Sequence, residues 1–170
     1  MAVLPVLTYP DPRLKRVAEP VERFDDELRA FVADLECTME AGPAAVGIAA
    51  PQVGRLQRLI LVDVSSRPRA AGHGRLVLIN PEITAWEGHV VGREGCLSVP
   101  DYTGNVIRAE RIRLAARDAH GVLTEYAMEG FEARVVQHEI DHLDGLLFLD
   151  RVVSRRADLR PRGGRSPAGR

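Results

Sequence analysis

Residues 130–144 constrain the fold more than any other segment of the chain. Placed at 100° intervals, Phe131, Val135, Val136, Ile140 and Leu143 fill most of a helical circumference, while Arg134, Gln137, Asp141 and Asp144 collect on one polar side. Such a helix is buried over most of its surface, and Gly145 marks its end. Glu139 falls among the apolar positions. A carboxylate facing a core alone is costly, so this one needs a metal, a hydrogen-bonded water or a substrate beside it.

The rest of the chain must supply what surrounds that helix. At 170 residues and 45 % hydrophobic content it matches one domain with a single core. An earlier helix is predicted over residues 25–40, where Leu28, Phe31, Val32, Leu35 and Met39 recur at helical spacing, Asp25 and Asp26 open the segment and Gly42 follows it. Between the helices, β-branched and aliphatic runs predict strands at residues 58–64, 75–80, 83–86, 112–117 and 122–128. Short connections such as Ala119-His120-Gly121 favour hairpins, so the expected class is α+β with antiparallel sheets around the late helix. Residues 65–74 read as a loop in which His73 is solvated.

Charge and cysteine content narrow the function classes. The net charge is −1, but residues 151–170 hold seven Arg against one Asp, which leaves −7 for residues 1–150. No general nucleic-acid surface is indicated, so DNA is not an expected partner, and no apolar run is long enough to span a membrane. Two cysteines, Cys37 and Cys96, are too few for a disulfide scaffold and fit a reducing, cytoplasmic setting. Cys37 lies in the first helix as a buried or half-buried thiol. The expected organisation is a catalytic domain of residues 1–153 and an Arg/Pro/Gly-rich tail of residues 154–170, disordered from residue 161.

His138 and His142 stand four apart, about 40° from each other around the helix axis, so both imidazoles reach one ion. With Glu139 they make His-Glu-x-x-His, the pattern in which two histidines bind a metal and the glutamate works on its water. Catalytic sites of this kind need a third protein ligand and an open position. Cys96 is the candidate, in Glu94-Gly95-Cys96-Leu97-Ser98, where Gly95 permits close backbone approach and Leu97 offers an N–H beside the ion. His89 and His120 are rivals for that position. One thiolate and two neutral imidazoles leave a divalent ion with a net positive charge, enough to bring its water toward a pKa of about 7.

A third segment is Val46-Gly47-Ile48-Ala49-Ala50-Pro51-Gln52-Val53-Gly54. Together with Glu94-Gly95-Cys96-Leu97-Ser98 and Gln137-His138-Glu139-Ile140-Asp141-His142, in that order and at those separations, it closely resembles the three motifs of the peptide deformylases. The resemblance runs from about Leu4 to Val152. It implies removal of the formyl group from N-formylmethionine of newly made polypeptides, and an α+β fold in which antiparallel sheets surround the metal-binding helix. It also implies Cys96, His138 and His142 as metal ligands, Glu139 as general acid/base, and Gln52 and the Leu97 N–H as oxyanion donors. Val46 and Gly47 would align the substrate backbone, with apolar residues near Val135 lining the methionine pocket. Family members use Fe²⁺ natively and work with Ni²⁺, Co²⁺ or, less well, Zn²⁺.

Two positions depart from the family pattern. Ala45 stands where Gly is usual, a cost if φ there is positive, and Glu132 replaces an apolar residue near the helix N-terminus, where the dipole stabilises a carboxylate. The tail arginines offer phosphate contacts to ribosomal RNA, against the plainer reading of a solvated charged end. Two other functions compete. A metallopeptidase cutting internal bonds follows from His-Glu-x-x-His alone, but such enzymes commonly take His or Glu third. A non-catalytic peptide-binding relative has no use for a buried general base.

Overall fold

The computed structural model describes residues 1–163 and forms two antiparallel sheets with helices packed on and between them. The first sheet has five strands, β1 (Gly47–Ala49), β2 (Leu59–Val62), β3 (Leu76–Glu87), β6 (Arg111–Arg117) and β7 (Leu123–Glu129), in the order β1-β2-β3-β6-β7. The second has three, β4 (Val90–Cys96), β5 (Val99–Arg108) and β8 (Leu159–Pro161), in the order β4-β5-β8. The class is therefore α+β with antiparallel pairing, as the sequence predicts.

Both long helices form where the periodicity places them. Helix α1 covers Asp26–Ala41, and Asp25 caps it by accepting the Leu28 N–H at 3.0 Å. Helix α2 covers Gly130–Leu143, and Gly145 turns the chain with φ +74°. Strand alternation decides what each helix meets. Ile60, Val62 and Leu78 point to one face of the five-stranded sheet and pack with Val135, Val136 and Leu143 of α2. Leu59, Leu61 and Ile79 point to the other face and pack with Leu28, Phe31, Val32, Leu35 and Met39 of α1.

The polar side of α2 is buried rather than solvated, and this corrects the simple amphipathic reading. Arg134 donates to the Val106 and Val90 carbonyls at 3.0 and 2.7 Å. Gln137 accepts from the Ala109 N–H and donates to the Ala109 carbonyl, both at 3.0 Å. Asp141 pairs with Arg108 at 2.6 Å and with Arg151 at 2.8 Å. These side chains stitch α2 to the three-stranded sheet, because a polar group taken out of water must keep a partner. Of that side only Asp144 is exposed.

Several sequence expectations are corrected. The strands expected at residues 75–80 and 83–86 are one strand with a register shift between Ile79 and Glu82. Pro81 has no N–H to give there, and Asn80, at φ +50°, uses its side chain to exchange hydrogen bonds with Val21 at 2.8 Å each way. The tail does not end the fold at residue 153. After α3 (Phe148–Arg151) and a short helix α4 (Arg155–Asp158), β8 pairs with β5. Leu159 covers the edge of a small core of Leu14, Val99, Val106 and Phe148. Against the disorder expected from residue 161, Pro161 closes β8 and residues 162–163 form a turn; the remainder of that expectation, residues 164–170, lies outside the described residues. No helix among them is long and apolar enough to cross a membrane.

Candidate metal centre and active site

Three side chains from two elements converge between the sheets. Cys96 ends β4, and His138 and His142 come from consecutive turns of α2; their ligand atoms all lie within 4.8 Å of one another. Cys96 Sγ stands 3.3 Å from His142 Nε2, and all three residues are buried. A soft sulfur and two imidazole nitrogens at this spacing fit a divalent transition ion with room for a further ligand. His89 and His120 are exposed and belong to no such cluster among the described residues.

Glu94 fixes the orientation of His138. Its Oε1 accepts from His138 Nδ1 at 2.7 Å, and a carboxylate only accepts, so Nδ1 carries a proton and Nε2 is the nitrogen turned toward Cys96. The same carboxylate takes two N–H groups of Arg108, at 3.0 and 2.9 Å, and one of Arg134, at 2.7 Å. Burial pushes the Glu94 pKa up, but the hydrogen bonds from His138 and Arg108 outweigh it and hold the carboxyl well below the usual range. For His138, burial favours the neutral ring while Cys96 and Glu94 together hold its pKa well above the ordinary value. His142 is pushed well below by burial and by the charge on His138. The metal-free cluster thus holds a proton that an incoming cation displaces.

Glu139 lies beside this cluster, on the same helix and in the same cleft. Its Oε2 is buried without a hydrogen-bond partner among the described residues, as is His142 Nδ1. Burial pushes its pKa up to about 7, against the lowering effect of His138. Strand β1 makes room for it: a Cβ on Gly47 would stand 2.7 Å from Glu139 Oε1 and 2.9 Å from Val135 Cγ1. A side chain at that position would have to displace Glu139 and Val135.

Gln52 sits in a turn of 3₁₀ helix, Ala50–Val53, and is buried. Its Oε1 accepts the Ala49 N–H at 2.8 Å, which settles which way the amide points. The Nε2 therefore faces the centre, donating to Ser98 Oγ at 3.1 Å and toward Cys96 Sγ at 3.5 Å. Leu97 and Ser98 form the two-residue turn closed by the Cys96–Val99 pair. Of the residues singled out in the sequence, Val46, Gly47, Gln52, Cys96, Leu97, His138 and Glu139 line one cleft of about 740 Å³, and His142 is buried behind Cys96.

Glu94, Arg108, Arg134 and Asp141 were not assigned roles from the sequence, and Ser98 was not recognised as the partner of Gln52. The available hint was the concentration of charged residues on a helix that must be buried. Ala45 raises no conformational problem, because the positive φ of +54° belongs to Ala44. Nor is Glu132 held by the helix dipole alone, and His73 is not simply solvated. Glu132 is buried and accepts from the His73 backbone N–H at 2.7 Å and from His73 Nδ1 at 2.6 Å, which ties the 65–74 loop to α2.

The family model described as polypeptide deformylase matches residues 3–158. A peptide deformylase of Alkalilimnicola ehrlichii is 49% identical over 150 residues, covering 88% of this chain and 82% of that protein. One of Thermodesulfovibrio yellowstonii is 42% identical, covering 94% of each. Among solved structures, a class I type b peptide deformylase of Acinetobacter baumannii with Met-Ala-Ser bound superposes with a TM-score of 0.84 at 39% identity, over 89% of this chain and 99% of that one. A peptide deformylase of Thermotoga maritima gives a TM-score of 0.83 at 37% identity, over 91% of this chain and 100% of that one.

Proposed function

The chain belongs to the polypeptide deformylase family, and from that premise we propose that it hydrolyses the formyl amide of N-formylmethionine at the start of nascent polypeptides, releasing formate and a free amine. The observation that carries this reading is the convergence of Cys96, His138 and His142 beside a buried, unpartnered Glu139 in one open cleft. The Acinetobacter relative with Met-Ala-Ser bound holds a peptide of the kind this reaction leaves behind.

Cys96, His138 and His142 are the residues we assign to hold the ion. Fe²⁺ is our first choice, with Ni²⁺, Co²⁺ or Zn²⁺ compatible with one sulfur and two nitrogens. When bound, such an ion supplies Lewis acidity, both to water and to a carbonyl oxygen. Glu139, with its pKa near neutrality, takes a proton from the attacking water and passes it to the leaving nitrogen as the C–N bond breaks. The Gln52 Nε2–H and the Leu97 backbone N–H donate to the oxygen as it gains charge, and one such donor is worth about 3 kcal/mol. Gln52 is suited to this because Ala49 and Ser98 hold its amide in place before substrate arrives. Gly47, which opens the edge strand β1, and Val46 just before it align the peptide backbone, and Val135 with Phe131 provides apolar surface for the methionine side chain.

The setting that fits this substrate is the cytoplasm, close to the ribosome. The test is an anaerobically purified preparation with metal analysis, assayed on formyl-Met, acetyl-Met and internal-amide peptides. The expected result is one ion per chain and turnover of the formyl substrate far above the others. Cleavage of internal amides, or no cleavage at all with the ion bound, would overturn the reading.

A further inference from the structure

The cleft is bordered by four guanidiniums that the chemistry above leaves unused. Arg67 and Arg69 come from the loop between β2 and β3, Arg93 from β4, and Arg162 from the residues just after β8. All four are exposed. Among the described residues none of them joins an ion pair, although other exposed arginines do, such as Arg13 with Asp11, Arg75 with Glu40 and Arg111 with Glu87. Among the described residues the only acids lining the same cleft are Glu139 and Glu94, and Glu94 is already engaged by Arg108, Arg134 and His138. A chain of net charge −1 therefore presents a positive rim at its active site.

The rim is held in place from several sides. Arg67 donates to the Ala44 carbonyl at 3.0 Å, which leaves the remainder of its fork toward solvent. Arg93 donates to Thr103 Oγ1 at 2.9 Å. The Arg162 backbone N–H donates to the Asp101 carbonyl at 2.8 Å, and its guanidinium lies directly over Gly95, where no side chain stands in the way. Arg69 has φ +65°, a conformation that side-chain-bearing residues seldom adopt, and Ala44 in the same cleft has φ +54°. Such positions persist where the surroundings demand them, and cleft walls are one such place.

We propose that this rim selects nascent chains with Asp or Glu in the residues that follow formyl-methionine. The proposal rests on the deformylase reading and adds a substrate preference to it. Distance supports the assignment: Arg93 is three residues from Cys96 along β4, about 10 Å at the usual rise of a strand. An extended peptide with its formyl group at the metal cluster brings its second to fourth residues to that range. Carboxylates on those residues meet guanidiniums whose planar forks match them, and whose charge has no ion-pair partner among the described residues.

The test compares kcat/KM of the metal-loaded protein on formyl-Met-Ala-Asp-Glu and formyl-Met-Ala-Lys-Lys, with formyl-Met-Ala-Ser-Ser as reference. Each exposed ion pair changes affinity by about 1.4- to 5-fold, so two pairs favour the acidic peptide over the neutral one by roughly 2- to 25-fold at low salt. The preference is expected mainly in KM, and to fade in 0.5 M salt as exposed charges are screened. The double variant Arg69→Glu/Arg93→Glu is expected to invert the order of the acidic and basic peptides. Equal rates on the three peptides, or the same order in the reversed variant, would overturn the proposal. So would a result in which the arginines alter only retention on ribosomes, which would assign the rim to RNA phosphates. Failure to turn over even the reference peptide would overturn the deformylase reading, and this one with it.

Discussion

Replacing Glu94 by Gln preserves shape while removing the charge on which four N–H groups converge. Breaking one side of a buried ion pair typically costs about 3–5 kcal/mol. Arg108 keeps Asp141 at 2.6 Å and Arg134 keeps two backbone carbonyls, so the lower end, about 3 kcal/mol, is expected here. For a domain of this size that is a fall in Tm of roughly 6–12 °C. The second loss is specific to the metal centre. With Gln the acceptor facing His138 Nδ1 loses its charge and its basicity, and weakening a partner of that kind lowers metal affinity about 10- to 100-fold. Chelator competition measures it, with Asp141→Asn as the control: that variant also loses buried pairs, with Arg108 and Arg151, but leaves the His138–Glu94 contact in place. Equal metal affinity in Glu94→Gln and wild type would refute the role given to Glu94, whatever happens to Tm. In the wild type, the folded pKa of Glu94 lies below its unfolded value. The stability it contributes is therefore complete above about pH 4.3 and lost as pH falls toward the folded value.

Glu139→Gln is expected to keep the ion and lose at least about 100-fold in turnover. In metal-free protein it should also stabilise the fold. A carboxyl raised to about 7 by burial weakens the native state progressively as pH rises from its unfolded value of about 4.3, so the variant gains about 3 kcal/mol at pH 8 and nothing below pH 4. Equal urea midpoints of the two proteins at pH 8 would contradict the burial argument. Gly47→Ala places a methyl group against Glu139 and Val135, and displacing the carboxylate is expected to cost about 100-fold in kcat with metal content unchanged. His73→Ala removes one of two partners of the buried Glu132, with an expected loss of about 1–3 kcal/mol and faster proteolysis within residues 65–74. Unchanged proteolysis would show that this contact does not hold the loop.

Much of the molecule was legible because its signals are local. The helix over Asp26–Ala41 announces itself through a capping Asp and a regular apolar stripe, and α2 through the same periodicity with Gly145 behind it. The edge strand β1 is too short to carry a pattern, and its segment reads as a turn ending in a glutamine. The three-stranded sheet was not legible at all. Strands β4 and β5 contain Gly92, Gly95, Gly104 and Pro100, which argue against strands when read alone. The glycines serve contacts that only the fold creates: a Cβ on Gly92 would stand 2.7 Å from the Arg134 guanidinium, and one on Gly104 would stand 3.1 Å from the Phe148 ring. The same limit applies to the site. His138, Glu139 and His142 are read from spacing within one helix and Cys96 from its short segment, whereas Gln52 is reached only through the resemblance of the three motifs to the deformylases. The network of Glu94, Arg108 and Asp141 joins residues up to 47 positions apart, and no local pattern relates them.

X-ray absorption at the metal edge of zinc-loaded protein tests the account at its centre. The expected first shell has one sulfur at about 2.3 Å and two imidazole nitrogens at about 2.0–2.1 Å, with one ion per chain. In Cys96→Ser the sulfur contribution should vanish and the ion be retained far more weakly. A wild-type shell of nitrogen and oxygen alone would mean that Cys96 is not a ligand, and the assignment of the centre would fail.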